Sequence, residues 1–366
     1  MTMKKHSIKA LVVIFILMFP AIVWAQFTET KQVNKRFKLT PETQVEITNK
    51  YGKIKINTWD KDSIIFDIKI RVEDKKLSRL EKLVSEVDFD FVNSEHYVTA
   101  RTQVGENRSS FEKEVLNLKE AVLQSDGKIE IDYTVWMPKT NQLKVENKFG
   151  DIYIDDYLGE LEITLSNGNL KAHDFTGKTN LKLSFADATI NLLKTGTLDC
   201  NYSEIFIKKA DKLKVAGKSS EFEITEIKEL NTDSRRDKYR IQEIGILTAK
   251  GSFTNYRVTD ISESLNVKTE YGDLDIEKVS PDFKSVFVES KSTDLSLYFS
   301  EKDEFGFEIT HTKSETNFCN ELNIKKEEVL DEKEKKMKIT GTFGNNVKTT
   351  MLIINAVGGS VNIMNY

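Results

Sequence analysis

Apolar and polar residues alternate in short runs along most of this chain, and the runs come in pairs. Leu143 and Val145 alternate with polar residues, a turn follows at Gly150, and Ile152 and Ile154 alternate again. Such alternation is typical of a half-buried β-strand, because successive side chains of a strand point to opposite faces. The stretch therefore predicts two short strands joined by a tight turn.

This paired pattern recurs about ten times. In most units the first apolar residue of the second strand follows that of the first strand by nine positions, and the unit that begins at Leu198 is the exception, with seven. Val45/Ile54 and Leu352/Val361 keep the nine-residue offset outside the continuous array. A random β-rich sequence does not hold such a register, so we interpret the chain as a repeat protein. The continuous units average about 18 residues and begin at Leu143, Leu161, Leu181, Leu198, Leu213, Leu230, Leu247, Leu265, Val286 and Phe307.

The seventh position after a unit start is where the chain is predicted to turn. Glycine there has a physical explanation, because a tight turn that forces a positive φ angle suits a residue without a side chain. Other units carry small or polar residues instead. The glycines are Gly52, Gly150, Gly168, Gly272 and Gly359, and the other turn residues are Ala188, Ser220, Asp237, Thr254 and Thr293.

Strands every nine residues fit either a hairpin meander or a solenoid. The residues that follow the unit starts favour the solenoid, because Lys144, Glu162, Lys182, Asp199 and Lys214 alternate in sign and would avoid like-charge contacts if equivalent positions stacked. A coil of about 18 residues is short for three sheets. We therefore predict an all-β parallel β-solenoid (a β-helix) with two strands per coil in two facing sheets. The usual crossover preference predicts a right-handed coil.

The pattern changes between the N-terminal strands with their first repeat-like unit, residues 26–56, and the array. Leu77, Leu80, Val84 and Val87 are spaced by three and four residues, which predicts an amphipathic helix. We interpret 57–140 as a small α+β insertion that caps the N-terminal end of the solenoid, because an uncovered array exposes unpaired strand edges. Within it, strands are predicted at 64–72, 88–93, 97–104 and 128–137, a polar loop at 105–110, and either helix or strand at 111–124.

The solenoid repeats occupy 141–320 and are followed by a charge-dense stretch. Residues 321–336 carry runs of lysine, aspartate and glutamate, which predicts an exposed excursion. Alternation resumes at 337–342 and 348–366, which predicts further strands and a terminal coil.

The N-terminus has the pattern of a secretory signal peptide. Lys4, Lys5 and Lys9 precede an apolar run over 10–23, and Ala25 offers a small residue for cleavage before the mature chain. The run is shorter than the ~20 residues that a membrane-spanning helix needs. We therefore predict an exported protein that is not an integral membrane protein after cleavage.

Removal of the predicted signal peptide, residues 1–25, changes the charge balance. The remaining chain has 51 basic and 58 acidic residues, a net charge of −7. A nucleic-acid partner requires a basic surface that neutralises phosphates, so this balance argues against one.

Cys200 and Cys319 are the only cysteines. An exported protein with two cysteines invites a disulfide. The repeat register places them six units apart, roughly 29 Å at ~4.8 Å per strand, whereas a disulfide joins Cα atoms within ~7 Å. We therefore predict two free, buried thiols.

Three turns share a sequence pattern: Asn-Lys-Tyr-Gly-Lys (49–53), Asn-Lys-Phe-Gly-Asp (147–151) and Thr-Glu-Tyr-Gly-Asp (269–273). With the leader, the short strands and the helix–strand segment before residues 129–138, the chain resembles the bacterial "putative adhesin" β-solenoid family, whose members carry a DUF4097/DUF2807-type domain. The resemblance covers about 45–366. It implies an envelope-associated β-solenoid with adhesion as its proposed role. It carries over no catalytic or binding residue, because the shared motifs are turn and core positions.

The polar residues form no recognisable catalytic or metal-binding motif. His96, His173 and His311 are not at metal-ligand spacing, and we interpret them as surface or strand-edge residues. Carboxylates at solenoid turns can bind Ca²⁺, but the glycine-rich nonapeptide of calcium-binding β-rolls is absent and aspartate is common in turns. We predict no metal, cofactor or catalytic residue. The turn carboxylates are Asp151, Asp155, Asp156, Asp273, Asp275 and Asp282.

Two groups of polar and aromatic residues are candidates for ligand contact. Charged residues at one turn and arginines at equivalent outward positions of successive coils could pair with an anionic ligand. Outward aromatic residues could contact sugars or protein partners, or pack beneath the insertion or the charged excursion. The charged group is Asp233, Arg235, Arg236, Asp237, Arg240 and Arg257, and the aromatic group is Tyr153 and Phe206 on second strands with Tyr157, Tyr202 and Tyr298 at turns.

We interpret the protein as a non-catalytic cell-envelope protein, an adhesin or binding scaffold that uses the lateral face of its solenoid. Its expected location is the periplasm or the cell surface, and its expected partners are glycans or envelope proteins. One alternative is a polysaccharide-active β-helix enzyme, which requires a groove where carboxylates and a basic residue converge. The other is a periplasmic envelope-stress or regulatory partner protein.

Overall fold

The computed structural model describes residues 26–105, 128–345 and 350–366. The predicted signal peptide, nearly all of the predicted 105–110 loop and the ambiguous 111–124 stretch lie outside these residues. Strands dominate the described chain. They are β1 (Phe27–Lys38), β2 (Gln44–Lys50), β3 (Ile54–Trp59), β4 (Ser63–Asp74), β5 (Val87–Asn93), β6 (Tyr97–Val104), β7 (Lys128–Pro138), β8 (Leu143–Lys148), β9 (Ile152–Ile154), β10 (Leu161–Asn201), β11 (Glu204–Lys218), β12 (Glu221–Arg235), β13 (Lys238–Ser252), β14 (Asn255–Glu270), β15 (Asp273–Ile276), β16 (Ser285–Lys291), β17 (Asp294–Phe299), β18 (Phe305–Thr312), β19 (Glu315–Phe318), β20 (Leu322–Asp331), β21 (Lys336–Phe343), β22 (Met351–Val357) and β23 (Ser360–Asn365), with one helix, α1 (Leu77–Ser85).

The chain divides into two compact units. Of the described residues, the first comprises 26–31, 70–88, 104–105 and 128–130, and the second comprises 32–69, 89–103, 131–345 and 350–366. The first unit contains α1, the helix predicted from the apolar spacing, with Leu80 as its buried residue. Before the helix, the backbone N–H of Lys76 donates a 2.8 Å hydrogen bond to Asp74 Oδ1.

The second unit is a parallel β-solenoid, which confirms the predicted fold class. Leu161 pairs with Leu143, and Leu170 with Ile152, so strands nine residues apart lie in separate ladders. The same parallel register continues through β10–β14 with steps of 17 or 18 residues. The second strand of each of these coils runs without interruption into the first strand of the next, so the two predicted sheets are joined into a single sheet.

Two predicted unit starts are wrong by two residues. The pairing aligns Gly196, not Leu198, with Leu213, and Thr179, not Leu181, is the residue whose carbonyl oxygen lies next to Gly196. Thr179 and Gly196 replace the usual aliphatic residue. Because side chains alternate with a period of two, a search for apolar starts moves to the next inward position.

The corrected starts restore the nine-residue offset and change the predicted turn. Ile205 follows Gly196 by nine positions and pairs with Ala188. Ala188 is therefore a buried residue of a second strand, and the turn residue of that coil is Ala186, two positions earlier.

The same slip breaks the predicted charge ladder beyond Lys182, whose ammonium lies 3.8 Å from Glu162. Glu162 lies beside Lys144 as predicted. Farther along, however, Lys214 pairs with Thr197, and Asp199 pairs with an alanine. The alternation in sign therefore does not continue along one row.

A coil is inserted into the stack near each end. Leu352 in β22 pairs with both Val286 and Phe307, so the last residues of the chain form the next-to-last coil in space. At the other end, β2 lies between β8 and β6, and β3 lies between β9 and β7. Part of the 57–140 segment thus continues the solenoid, whereas its interpretation as a separate cap remains a prediction.

The charge-dense stretch forms a β-hairpin. Strands β20 and β21 pair in antiparallel fashion, and β21 also pairs with β18, where Ile339 lies opposite Ile309. Most residues of β20 are exposed, as predicted for an excursion. The hairpin ends the parallel stack by covering the outer edge of β18.

Equivalent inward residues stack from coil to coil in the core. Phe222, Tyr239 and Tyr256 form a buried column with ring centroids 4.7 and 4.9 Å apart. Near the turns, Asn49 and Asn147 point inward, and their amides donate hydrogen bonds of 2.8 Å to the carbonyl of Ile131 and 2.9 Å to that of Gly52, respectively. The asparagine of the repeated turn motif is therefore structural.

The cysteines are free, as predicted. Cys200 is buried, and burial raises the pKa of its thiol well above the usual value. Cys319 is only partly buried, so the prediction of burial is wrong for this residue. Among the residues that the structure describes, no helix has the length and apolar character needed to cross a membrane.

Candidate functional site

Each coil of the solenoid turns at a residue with a left-handed backbone. The residue directly before the turn position has a φ angle between +48° and +68°, and in these coils it is not glycine. A left-handed conformation costs a residue with a side chain ~1–2 kcal/mol. We call the non-glycine residues of this row the turn edge; the coil of Leu352, where Gly358 with a φ angle of +67° takes this position between Ser292 and Lys313, is not included. In spatial order the turn edge consists of Tyr51, Phe149, Asn167, Phe185, Tyr202, Ser219, Arg236, Phe253, Tyr271, Ser292 and Lys313.

The turn glycines serve a different purpose from the predicted one. Gly52, Gly150, Gly168 and Gly272 do not have positive φ angles; of the five predicted turn glycines only Gly359 does, at +69°. A Cβ atom on Gly150 would lie 1.9 Å from the carbonyl oxygen of Gly52 in the neighbouring coil. Glycine is therefore required there by the close approach of successive backbones.

Aromatic rings on the turn edge stack in pairs from coil to coil. The ring centroids of Phe185 and Tyr202 are 5.0 Å apart with planes 4° from parallel, and those of Phe253 and Tyr271 are 5.0 Å apart at 15°. The Tyr51 and Phe149 rings form a third pair at 5.7 Å and 10°. Phe185 is 61% exposed and Tyr202 50%. Clustered apolar rings on a solvent-exposed surface are characteristic of interaction sites.

Basic side chains flank these rings. The Lys50 ammonium lies 4.8 Å from the centroid of the Tyr51 ring, and the Lys291 ammonium 5.8 Å from that of Tyr271. The Arg236 guanidinium lies 6.0 Å from the Phe253 centroid. Such cation–π contacts stabilise exposed rings by ~0.5–1 kcal/mol. The turn edge therefore combines apolar rings with positive charge.

A carboxylate is buried behind the turn edge. Asp237 is 1% exposed, and its Oδ1 accepts a 2.9 Å hydrogen bond from the backbone N–H of Ser220. In the preceding coils, serine hydroxyls take the same role: Ser220 Oγ accepts from the N–H of Ser203, and Ser203 Oγ from that of Ala186, both at 3.2 Å. Burial raises the pKa of Asp237 to about 6. The turn residues thus cap one another inside the solenoid.

The charged residues predicted to share a turn do not form one exposed cluster. Asp237 is buried, whereas Arg236 is exposed beside Phe253. Arg240 and Arg257 do occupy equivalent positions in successive coils, as predicted. Each is near an acid: Arg240 lies 3.4 Å from Glu221 and Arg257 3.4 Å from Asp275. Asp233 and Arg235 are exposed.

The aromatic residues predicted to point outward lie in different environments. Tyr202 lies on the turn edge, and Tyr153 donates a 3.0 Å hydrogen bond to Asp151. Phe206 is 36% exposed. The prediction is wrong for Tyr157, which is buried and donates a 2.6 Å hydrogen bond to the carbonyl of Asn141. It is also wrong for Tyr298, which lies within β17.

One predicted carboxylate meets a histidine on the surface. Asp156, His173 and Asp174 present ligand atoms within 4.8 Å of one another. The hydrogen bond with Asp156 is the largest cause that raises the pKa of His173, and the charge of Asp174 adds to it. The sequence alone does not bring His173 and Asp156 together, because residues 17 apart become neighbours only once the coils stack. An exposed ion pair explains this contact.

The rings of the turn edge, apart from Tyr202, were not singled out from the sequence as contact residues. The signal was present in the turn motifs, because an aromatic residue directly precedes the glycine at Tyr51-Gly52, Phe149-Gly150 and Tyr271-Gly272. A strand pattern does not show whether such a ring points outward. The left-handed backbone decides its direction.

Fold and site together define a parallel β-solenoid with an exposed aromatic edge. No protein-family model matches this chain, and no curated protein matches it in sequence. Among solved structures, it is similar to a "putative cell adhesion protein" from Clostridium sporogenes, at 10% identity and a TM-score of 0.19, over 92% of this chain and 100% of the other. A "putative lipid binding protein" from Parabacteroides distasonis matches at 9% identity and a TM-score of 0.30, over 90% and 96%. A "putative adhesin" from Bacteroides fragilis matches at 11% identity and a TM-score of 0.23, over 92% and 97%. At these values, function has to be argued from the chain's own residues.

Proposed function

We propose that this protein is a non-catalytic binding scaffold of the bacterial cell envelope, and that its turn edge contacts an extended ligand. The stacked, exposed rings of the turn edge carry this proposal. Phe185 and Phe253, for example, are held in left-handed conformations with φ angles of 52° and 55° and still expose more than half of their surface. Asn167 and Ser219 show that small polar residues fit the same backbone, so large apolar rings held in water at these turns indicate selection for contact, not for stability.

The dimensions of the turn edge suit a long ligand. Eight coil steps separate Tyr51 from Tyr271, which corresponds to about 38 Å at ~4.8 Å per step. The hydrogen-bonded coils hold this row rigid, so binding requires little ordering of the protein. A glycan chain or an extended segment of an envelope protein could follow it.

The location in the envelope is supported by the leader pattern of residues 1–25 and by the acidic balance of the remaining chain. The resemblance of the turn motifs to the adhesin-type DUF4097/DUF2807 solenoids is part of the same proposal. It favours the periplasm or the cell surface.

The non-catalytic part of the proposal rests on the charged residues. A polysaccharide-active enzyme would need carboxylates and a basic residue that converge in a groove. Asp237 is directed inward. Arg240 lies beside Glu221 in a depression of about 220 Å³, and Arg257 beside Asp275 in one of about 190 Å³; both depressions are shallow, open to solvent and lined only by strand residues, so nothing encloses a substrate there. We assign these residues to the structure of the coils.

The test compares two variants of the full chain on isolated envelopes and intact cells. Replacement of four turn-edge rings by alanine should lower retention of the labelled protein at least tenfold, because aromatic contacts supply most of the binding energy at such surfaces. The matched control replaces four charged residues on the opposite side of the coils and should bind like the wild type. The rings are Phe185, Tyr202, Phe253 and Tyr271, and the control residues are Lys209, Lys212, Glu226 and Glu229.

Equal retention of both variants would reject the turn edge as the binding surface. Protease accessibility in intact cells and in spheroplasts tests the location separately. Protection in both would contradict an envelope location, and accessibility in spheroplasts alone would place the protein in the periplasm.

A further inference from the structure

At one point of the turn edge, a short side chain separates two rings. Asn167 lies between Phe149 and Phe185 in the stack and shares the left-handed backbone of its neighbours, with a φ angle of 56°. These three residues line one open cleft of about 510 Å³, together with Gly168, Asn169 and the two aspartates described below. Its volume is in the ~300–1,000 Å³ range of small-ligand sites.

The cleft has room for one ring between its aromatic walls. Stacked rings of adjacent coils are 5.0 Å apart, so the rings of Phe149 and Phe185, two coils apart, are separated by about 10 Å. One ring placed midway would lie about 5 Å from each wall, within the ~4.5–7 Å spacing of stacked rings. Tyr51 covers the far face of Phe149, and Tyr202 covers that of Phe185. The faces that remain are those on either side of Asn167.

Polar groups line the side of the cleft. Asp151 Oδ1 accepts hydrogen bonds from the backbone N–H and the side-chain amide of Asn169, both at 2.9 Å, and its Oδ2 accepts from Tyr153. Burial opposes ionisation, but these hydrogen bonds outweigh it and hold the pKa of Asp151 below its usual value. Asp187 adds a second, exposed carboxylate. The cleft thus offers fixed acceptors and amide groups beside its apolar walls.

We propose that the cleft at Asn167 binds one pyranose ring of a glycan. Both faces of a pyranose carry C–H groups that pack on aromatic rings, and its hydroxyls would meet the amides and carboxylates at the edge of the ring. A cationic ligand fits less well, because the Lys148 ammonium already lies 5.9 Å from the Phe149 centroid. The assignment rests on the proposed binding function and names its ligand class.

The decisive variant fills the cleft from within. Asn167→Phe places a ring where Phe185 and Phe253 show that phenylalanine is accommodated in the same conformation. The variant should continue the stack and raise the melting temperature. Lys212→Phe, on the opposite side of the coils, is the matched control, because it adds an exposed ring outside the turn edge.

Binding is measured by calorimetry with neutral oligosaccharides, namely hexamers of β-1,4-linked glucose, β-1,4-linked N-acetylglucosamine and α-1,6-linked mannose. Asn167→Phe should weaken binding of the preferred hexamer at least tenfold, and Lys212→Phe by less than twofold. Phe185→Ala, which removes one wall, should also weaken it and supplies a second measurement if Asn167→Phe folds poorly.

Unchanged affinity in Asn167→Phe and Phe185→Ala would overturn the proposal. Competition by tetramethylammonium would overturn it in favour of a cation site. If no hexamer binds the wild-type protein while envelopes still retain it through the turn edge, the pyranose assignment fails and the scaffold function stands. If the turn-edge variant also retains full envelope binding, both fail.

Discussion

The two long edges of the solenoid bring equivalent residues together at the same spacing but use opposite chemistry. On the turn edge, neighbouring coils stack aromatic rings. On the bend edge, which we define as residues 157–160, 174–178, 191–195, 208–212, 225–229, 242–246, 259–264 and 277–284, strands pass from one coil into the next and acids face lysines. Its ion pairs include Lys178–Glu160 at 3.2 Å, Lys209–Glu226 at 2.7 Å, Lys212–Glu229 at 2.5 Å and Lys228–Asp211 at 2.8 Å.

This difference indicates which edge is available to a partner. On the bend edge, most acids pair with a lysine of a neighbouring coil and remain hydrated, although Glu243 stacks between Glu226 and Asp260. At the paired positions a ligand would have to displace both partner and water. On the turn edge, exposed rings such as Phe185 and Phe253 would release water on contact, which is favourable. The same coil geometry therefore yields one edge of mostly paired charges and one edge of exposed rings, and the proposed binding surface is the second.

The largest predicted effect separates the turn edge from the core behind it. Tyr239→Ala removes the central ring of the buried Phe222–Tyr239–Tyr256 column and leaves the Ser234 hydroxyl without its 2.6 Å partner. Loss of a buried aromatic side chain costs about 3–5 kcal/mol. Urea denaturation of the variant should show this loss in the free energy of unfolding. A loss below about 1 kcal/mol would mean that the column contributes no more than an exposed pair.

The second prediction concerns the buried carboxylate. The pKa of Asp237 is about 6 in the folded protein and near 3.8 when the chain is unfolded, a difference worth about 3 kcal/mol. Because the folded state favours the protonated acid, this group's contribution to stability is greatest below pH 3.8 and is lost as the pH rises through 6. Asp237→Asn should therefore stabilise the protein at pH 8 and have little effect near pH 4.

Chemical denaturation from pH 4 to pH 8 measures this contribution. The control is Asp233→Asn, which changes an exposed aspartate four residues before Asp237. Between pH 4 and 7, the free energy of unfolding should change with pH in the same way for the wild type and Asp233→Asn. For Asp237→Asn, it should change less, because the proton that Asp237 binds in the folded state is missing. Parallel curves for all three proteins would show that Asp237 is ionised in the folded state at no cost.

The repeat could be predicted from the sequence because the nine-residue offset depends only on inward apolar residues. The fold class followed from it. The exact register did not, because Thr179 and Gly196 occupy inward positions without an apolar side chain. The position of the coil of Leu352 could not be predicted either. The local sequence does not show that a segment near the C-terminus pairs between Val286 and Phe307.

The candidate site could be predicted from the sequence even less well than the register. Phe149 and Phe185 are separated by 36 positions in the sequence, and their shared cleft exists only because an intervening coil carries Asn167. The direction of each ring depends on a left-handed φ angle. The residue type does not predict this angle, because most aromatic residues avoid the left-handed region. Alternation identifies buried positions and says little about turns.

The third prediction measures what the rings contribute to the turn edge itself. Phe253→Ala removes the stacking on Tyr271 and the contact with Arg236 while it keeps a left-handed residue with a side chain. We expect a loss of about 1 kcal/mol. Phe253→Gly relieves the conformational cost as well, so its free energy of unfolding should lie closer to that of the wild type. Equal losses in both variants would show that the backbone at Phe253 is not strained.

The smallest effect is expected on the bend edge. Lys212 and Glu229 are both exposed and lie 2.5 Å apart, and an ion pair of this kind contributes about 0.5 kcal/mol or less. A double-mutant cycle of Lys212→Ala and Glu229→Ala isolates the interaction, and 0.5 M NaCl should abolish it by screening. The same salt should leave the loss in Phe253→Ala nearly unchanged, because stacking of neutral rings depends little on ionic strength. A coupling above about 1.5 kcal/mol that survives salt would show that the bend edge, like the turn edge, is organised by more than hydrated charges, and the contrast between the two edges would have to be abandoned.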